Sequence, residues 1–389
     1  MTNATTKRIA SIDIFRALTM FFMIFVNDIP GLREIPHWLR HAASTEDMLG
    51  FSDLIFPGFL FAMGISIPFA IEKRFEKGDS LLQVLRHIAE RTIALLVMGV
   101  FLVNTENMDG ASMPISGNWF NLLLILAFFL IWNVYPKADK PKKYIFLSAR
   151  TAGAAILVFL FLIYKGMDGA AFGPQWWGIL GLIGWTYLVS AVTYLITRRN
   201  LSYICTAWLL FLTLAVGTHA GTFSLPFIPS DMTLHALGVS GVFTSVLLSH
   251  YTAAKQPRNF IILLCGIGVV MFIAFLATHN YWIISKIQAT PSWLFACTAL
   301  FFPLFGLVYW LTDIKGKTDW FTLIKPAGTA TLTCYLIPYI WYNVQGLLGW
   351  NYPAFLGAGI PGLIKSLVFS LIIVQTTGLL VKGGIRLKV

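Results

Sequence analysis

Long apolar runs alternate with short polar connections along the whole chain, and that alternation predicts its elements. Apolar segments at 9–30, 51–72, 87–104, 117–135, 144–164, 175–197, 201–220, 233–252, 259–280, 291–313, 326–345 and 361–381 read as membrane-spanning helices. At a rise of about 1.5 Å per residue each reaches across roughly 30 Å of hydrocarbon, the shorter ones with help from flanking polar residues. The connection Thr197–Asn200 is so short that its two flanking runs also read as one kinked pair, which leaves the count at ten to twelve. Pro68, Pro303 and Pro338 interrupt runs without falling at matching places in two halves, so the paired broken helices of an inverted-repeat transporter are not visible.

Composition agrees with the pattern. Over 389 residues, 57% are hydrophobic and 12% charged, against about a quarter charged in soluble domains. The expectation is an all-α polytopic membrane bundle, one domain over 1–389, with no separate soluble part. The net charge of +11 does not point to nucleic acid, because the basic residues recur between apolar runs instead of forming one patch. With the amino terminus inside, most of the 28 Lys and Arg fall on inner connections or inner span ends, Lys7, Arg8, Lys73, Arg74, Lys77, Lys137 and Lys140 among them. Arg33, Arg40, Lys165, Lys286 and Lys365 remain outside. By the positive-inside rule both termini are then cytoplasmic and the 31–50 loop faces outward. The first run keeps Asp13 and Arg16 and lacks a small-residue cleavage site, so it reads as a retained helix.

Chemistry concentrates in Asn27–Pro57, a polar loop between the first two runs that carries Asp28, His37, His41, Glu46, Asp47 and Asp53. Ionisable groups near bilayer depth are costly and tend to be functional. An imidazole exchanges protons at neutral pH, and a carboxylate on one ring nitrogen makes the other a better base. Asp53 is the natural orienter of His41, and the Asn27 amide suits a developing oxyanion. Surface loop histidines with a helix-capping Asp53 fit the same spacing. His219, His235 and His279 are further outer-side histidines without a carboxylate and an amide close in sequence. On the inner side, Asp13 and Arg16 share a helix face at i, i+3. Arg16, Arg86, Arg91 and Arg150 are candidate anion-binding groups, Arg91 the deepest, with positive-inside anchoring as the other reading of Arg86 and Arg150. Cys205, Cys265, Cys297 and Cys334 all lie in apolar runs and read as buried small hydrophobes. No cluster has metal-ligand spacing, and no nucleotide, hydrolase or zinc-protease motif is present.

Four stretches in order carry a family resemblance: Asp13-Ile14-Phe15-Arg16-Ala17, Val26-Asn27, Arg40-His41-Ala42 and Asp53-Leu54-Ile55-Phe56-Pro57. Together they resemble the heparan-α-glucosaminide N-acetyltransferase family and its shorter bacterial relatives. The likeness covers the first hundred residues, Arg91 included, and is weaker from about 233 onward. About 1–135 would then be the catalytic half and about 165–222 additional helices. The chain departs from the family pattern at Ala17, within Gly117–Asn121, and at Ala330 and Pro338.

The resemblance implies acetyl transfer from cytoplasmic acetyl-CoA to the amino group of glucosamine or a glucosamine-containing saccharide, in a multi-pass bacterial inner-membrane protein. His41 carries over as the active-site base, with Asn27 and Asp53 beside it and basic inner residues on the coenzyme. A homodimer follows from the resemblance alone. Two other readings share the residues: an amino-sugar permease with the His-bearing loop as gate, and O-acetylation of a surface glycan.

Overall fold

The computed structural model describes residues 9–136, 139–225 and 231–388; Lys7, Arg8, Lys137 and the side chain of Lys140 lie outside the description. Among the described residues the fold is helical, with no strand beyond isolated bridges. The helices are α1 (Ala10–Asp28), α2 (Phe51–Glu76), α3 (Leu81–Glu106), α4 (Gly117–Trp132), α5 (Lys140–Ile163), α6 (Ile179–Thr197) and α7 (Leu201–His219). They continue with α8 (Met232–Ala253), α9 (Pro257–His279), α10 (Pro291–Tyr309), α11 (Lys325–Thr329), α12 (Thr331–Leu348) and α13 (Gly359–Lys382). Ten of the described helices are long and apolar enough to cross a membrane; α4 is shorter but apolar.

Connections gather at two ends. At one end Asp313 accepts from the backbone N–H groups of Ala10 and Ser11 at 2.9 and 2.8 Å, Glu72 pairs with Arg199 at 2.7 Å, and Arg386 donates to Thr329 O. At the other end Asp28 meets Lys365, and Asp47 meets His279. The first and last helices therefore begin and finish at the same end.

α8 is almost wholly buried and packs on α2 through glycines. A Cβ on Gly64 would sit 2.0 Å from Gly238 O, and one on Gly241 2.1 Å from Phe61 O. Small residues let helix backbones approach, which is how helices gain van der Waals contact inside lipid. α5, α7 and α9 leave most of their surface to the surroundings, as peripheral helices do.

Two expected spans differ in detail. The 291–313 run ends in a π-turn at Trp310–Ile314. The 326–345 run breaks at Ala330 (φ −133°, ψ 51°) into α11 and α12. The break sets α11 against α1, where a Cβ on Gly328 would lie 2.3 Å from Asp13 O. Thr197–Asn200 joins two separate helices, with Arg198 at φ 52° making the turn.

Candidate functional site

The loop between α1 and α2 is folded back onto the start of α2. Pro36 opens a short 3-10 turn, His37–Leu39, which buries Leu39. The Ser52 hydroxyl donates to Leu39 O at 2.6 Å. Gly50 lets the two strands of chain lie together: a Cβ there would sit 2.2 Å from Arg40 O. That close approach brings His41 onto Asp53, with Nδ1 2.7 Å from Oδ1. The second carboxylate oxygen accepts the Ala42 N–H at 2.9 Å, so Asp53 is not a helix cap but the anchor of the loop. Asp53 is buried; His41 keeps about a third of its side chain exposed. When Nδ1 carries the ring hydrogen and gives it to Asp53, the other ring nitrogen, Nε2, is left to act as a base.

The α9–α10 connection completes the wall. A tight turn between Ser285 and Thr290 is closed by paired backbone and hydroxyl hydrogen bonds, and Thr233 of α8 donates to Ala289 O at 2.7 Å. Ser285 and Gln288 both donate to Ser44 O, at 3.2 and 2.6 Å. Asp47 accepts the Ile284 N–H at 2.8 Å and pairs with His279 at 2.8 Å. The Ile284 N–H, followed by His279, holds the Asp47 carboxyl below the usual aspartate range. His37 bonds Glu46 in the same way and lowers its carboxyl. The turn delivers Lys286 into the site, its Nζ 3.0 Å from His41 Nδ1 and 3.5 Å from Asp53 Oδ1. Burial pulls the Lys286 ammonium below the usual lysine range, opposed by the charge of Asp53. From α10, Trp293 donates its indole N–H to Asp53 O at 3.2 Å.

Other candidates at this end fall elsewhere. Asn27 is exposed in the last turn of α1 and makes no hydrogen bond to His41 or Asp53 among the described residues. Its neighbour Asp28 is tied into α12 and α13 by Tyr342, Lys365 and Ser366, at 2.7, 2.7 and 2.6 Å. His219 packs edge-on against Trp282, and His235 is buried within α8.

At the opposite end a cavity of about 660 Å³ opens between α1, α2, α3, α6 and α12. Its lining is basic: Arg16, Lys73, Arg74, Arg91, Arg386 and Lys388, with Asp79 the single acid among the described lining residues. Arg16 pairs with Asp13 at 2.7 Å and reaches Ser66 at 3.5 Å. The Arg91 guanidinium lies 4.4 Å from the Tyr187 ring centroid. The first turn of α12 also faces this space; Ala330 gives it no side-chain cap, so its leading N–H groups are available to an anion. Arg86 and Arg150 do not line it. Arg86 is exposed and paired with Glu90 at 2.7 Å, and Arg150 lies over the Tyr135 ring at 5.4 Å. Along α2 the lining runs from Lys77 to Phe59, about 27 Å of helix, and stops about 9 Å short of Asp53. Groups of three or more metal-ligand side chains are absent among the described residues.

Residues 8–224, more than half the chain, match the family described as a domain of unknown function, DUF5009. The chain belongs to the DUF5009 family. This DUF5009 protein is also a distant relative of the heparan-alpha-glucosaminide N-acetyltransferases of Homo sapiens and Mus musculus, 34% identical to each over 102 residues. That stretch is 26% of the DUF5009 chain and 15% of each relative, so the chain spans only a small part of the curated relatives it matches.

Sequence reasoning about this DUF5009 member missed Lys286 and Trp293. Lys286 comes from the α9–α10 connection and Trp293 from the first turn of α10, each more than two hundred residues away, and nothing local to Ile284–Trp293 marks it as part of a site.

Proposed function

We propose that the protein is a membrane acyltransferase that moves acetyl from cytoplasmic acetyl-CoA to an amino sugar held on the outer face. One observation carries the reading: a carboxylate-held imidazole stands at one end of α2, and a basic cavity occupies most of the rest of that helix. The distant N-acetyltransferase relatives support the same chemistry.

In this reading Arg16, Arg91 and the first turn of α12 hold the coenzyme's phosphates, with Lys73, Arg74 and Arg386 at the mouth. The pantetheine arm lies along Met63 and Phe59, and the thioester reaches the outer end of α2. Entry of acyl groups from the cytoplasm fits basic residues at that end. Arg86 and Arg150, which point elsewhere, serve as inner-side anchors.

An amino sugar arrives as an ammonium and must lose a proton before it attacks. His41 Nε2 takes that proton, while Asp53 fixes the ring. Attack by the free amine on the thioester carbonyl gives a tetrahedral intermediate; as its C–S bond breaks, the second proton of the attacking nitrogen passes to the departing sulfur, leaving CoA thiol and a neutral amide. Asn27, exposed at the outer end of α1, is the candidate donor to the oxyanion. Transfer is direct, within one complex of donor and acceptor.

The test is a panel of glucosamine, N-acetylglucosamine and glucosamine-containing oligosaccharides, added with acetyl-CoA to purified protein. CoA release with the free amines alone supports N-acetylation. Release with N-acetylated sugars points to a hydroxyl acceptor. Uptake of sugar into liposomes without CoA release would contradict the reading and favour a permease.

A further inference from the structure

We propose that Lys286 is the proton store of the site, receiving the Nδ1 hydrogen of His41 as Nε2 takes one from the acceptor. The inference rests on the acyl-transfer reading for the identity of that acceptor. Three atoms converge on one hydrogen: His41 Nδ1, Asp53 Oδ1 at 2.7 Å and Lys286 Nζ at 3.0 Å.

Two proton arrangements satisfy the geometry. If Lys286 is an ammonium, it donates to Nδ1, the neutral ring carries its hydrogen on Nε2, and that nitrogen has no lone pair for a substrate. If Lys286 is an amine, Nδ1–H points at Asp53 and Nζ, and Nε2 is a base. Lys286 thus decides whether His41 can start the reaction.

The step balances. The acceptor N–H bond breaks as Nε2–H forms; Nδ1–H breaks as Nζ–H forms. The ring is neutral before and after, and the positive charge moves from the acceptor's ammonium to the lysine. A carboxylate is a far weaker base than even a depressed amine, so the hydrogen rests on Lys286 and not on Asp53. Asp53 keeps its charge, accepting Ala42 N–H on Oδ2 and facing the new ammonium at 3.5 Å through Oδ1.

The surroundings favour an amine that titrates early. Lys286 is largely buried, and burial disfavours the ammonium. The charged or titratable groups facing it are Asp53 from α2, His41 from the first loop and Cys297 from α10. Only Asp53 opposes the burial strongly, and Asp53 is already bonded to two N–H donors.

Lysine is required for this role, because arginine keeps a cation but cannot give up its proton. An ion-pair role alone would survive Lys286→Arg. The relay predicts that Lys286→Arg and Lys286→Met both lose about 10²-fold or more in kcat, the usual worth of a positioned base, with CoA binding retained. Recovery of wild-type turnover by Lys286→Arg overturns the relay.

A second measurement does not depend on turnover. Purified full-length protein in nanodiscs is labelled with trace acetic anhydride across pH 6 to 11, and acylation of the Lys286 peptide is read by mass spectrometry against that of exposed Lys255. The relay predicts that Lys286 becomes reactive at least about one pH unit earlier, a tenfold larger amine fraction. Labelling in step with Lys255 while the wild type still releases CoA overturns the relay alone. Early labelling with no CoA release for any acceptor overturns the acyl-transfer reading, and the relay's part in transfer falls with it.

Discussion

His41 and Asp53 stand twelve positions apart in the chain and 2.7 Å apart in space, and the proposed chemistry depends on that contact. His41→Ala is expected to abolish acetyl transfer while leaving acetyl-CoA binding intact, because the coenzyme's charges meet the other end of the molecule. Isothermal titration beside a turnover assay checks both halves. Asp53→Asn keeps the shape but offers an amide hydrogen to Nδ1, which favours the ring form with its hydrogen on Nε2; kcat should fall about 10²- to 10⁴-fold. Turnover near wild type would show that Asp53 only anchors the loop. The pair was legible in the sequence, since a loop histidine and a carboxylate at the start of a span follow one another closely. Lys286 was not, because its partners are 245 and 233 positions away and only the α9–α10 turn brings it in. Asn27 sits at the expected end of α1, but Asp28 beside it does the tying of helices, a role that spacing does not reveal.

Gly50 shows how an element sets the site. Gly50→Ala places a methyl group where Arg40 O now sits, 2.2 Å from the ideal Cβ, so the chain around His41 must move. Reduced kcat with nearly unchanged thermal stability is expected, since only the loop shifts; unchanged kcat would mean the loop absorbs the methyl without moving His41. The same loop carries a pH limit. Asp47, held low by Ile284 N–H and by His279, contributes stability that is complete above the ordinary aspartate value near 4 and is lost as pH falls through its lower folded value. Hydrogen-exchange protection factors of residues 37–53, corrected for the intrinsic pH dependence of exchange, should therefore begin to fall below about pH 4, while protection factors that stay constant until the whole bundle unfolds in acid would rule out this tether. In the bundle, Gly64→Val overfills the α2–α8 contact and should cost about 1–3 kcal/mol in thermal unfolding. Most helices were legible from apolar runs alone. The break at Ala330 was not, because the run stays apolar while the close approach of Gly328 to Asp13 O bends the chain around α1.

At the scale of the molecule, the protein has two chemically different ends joined by one helix. The basic end was readable from the placement of lysines and arginines, but which of them share a cavity was not, since that depends on how five helices pack. Arg16→Ala and Arg91→Ala should each weaken CoA binding about tenfold or more, at about 1.5–3 kcal/mol per charge-assisted hydrogen bond. Arg86→Ala and Arg150→Ala should leave binding unchanged, because one is exposed on Glu90 and the other rests on Tyr135. The most direct test of the central claim is sidedness. Protein is reconstituted in one orientation into liposomes, with acetyl-CoA supplied only at the end bearing Arg16 and Arg91 and glucosamine only at the end bearing His41. Acetylated sugar forming on the His41 side, and absent in His41→Ala, is the predicted result. Acetylation only when both substrates share the Arg16 side, or free passage of glucosamine with no CoA released, would contradict it.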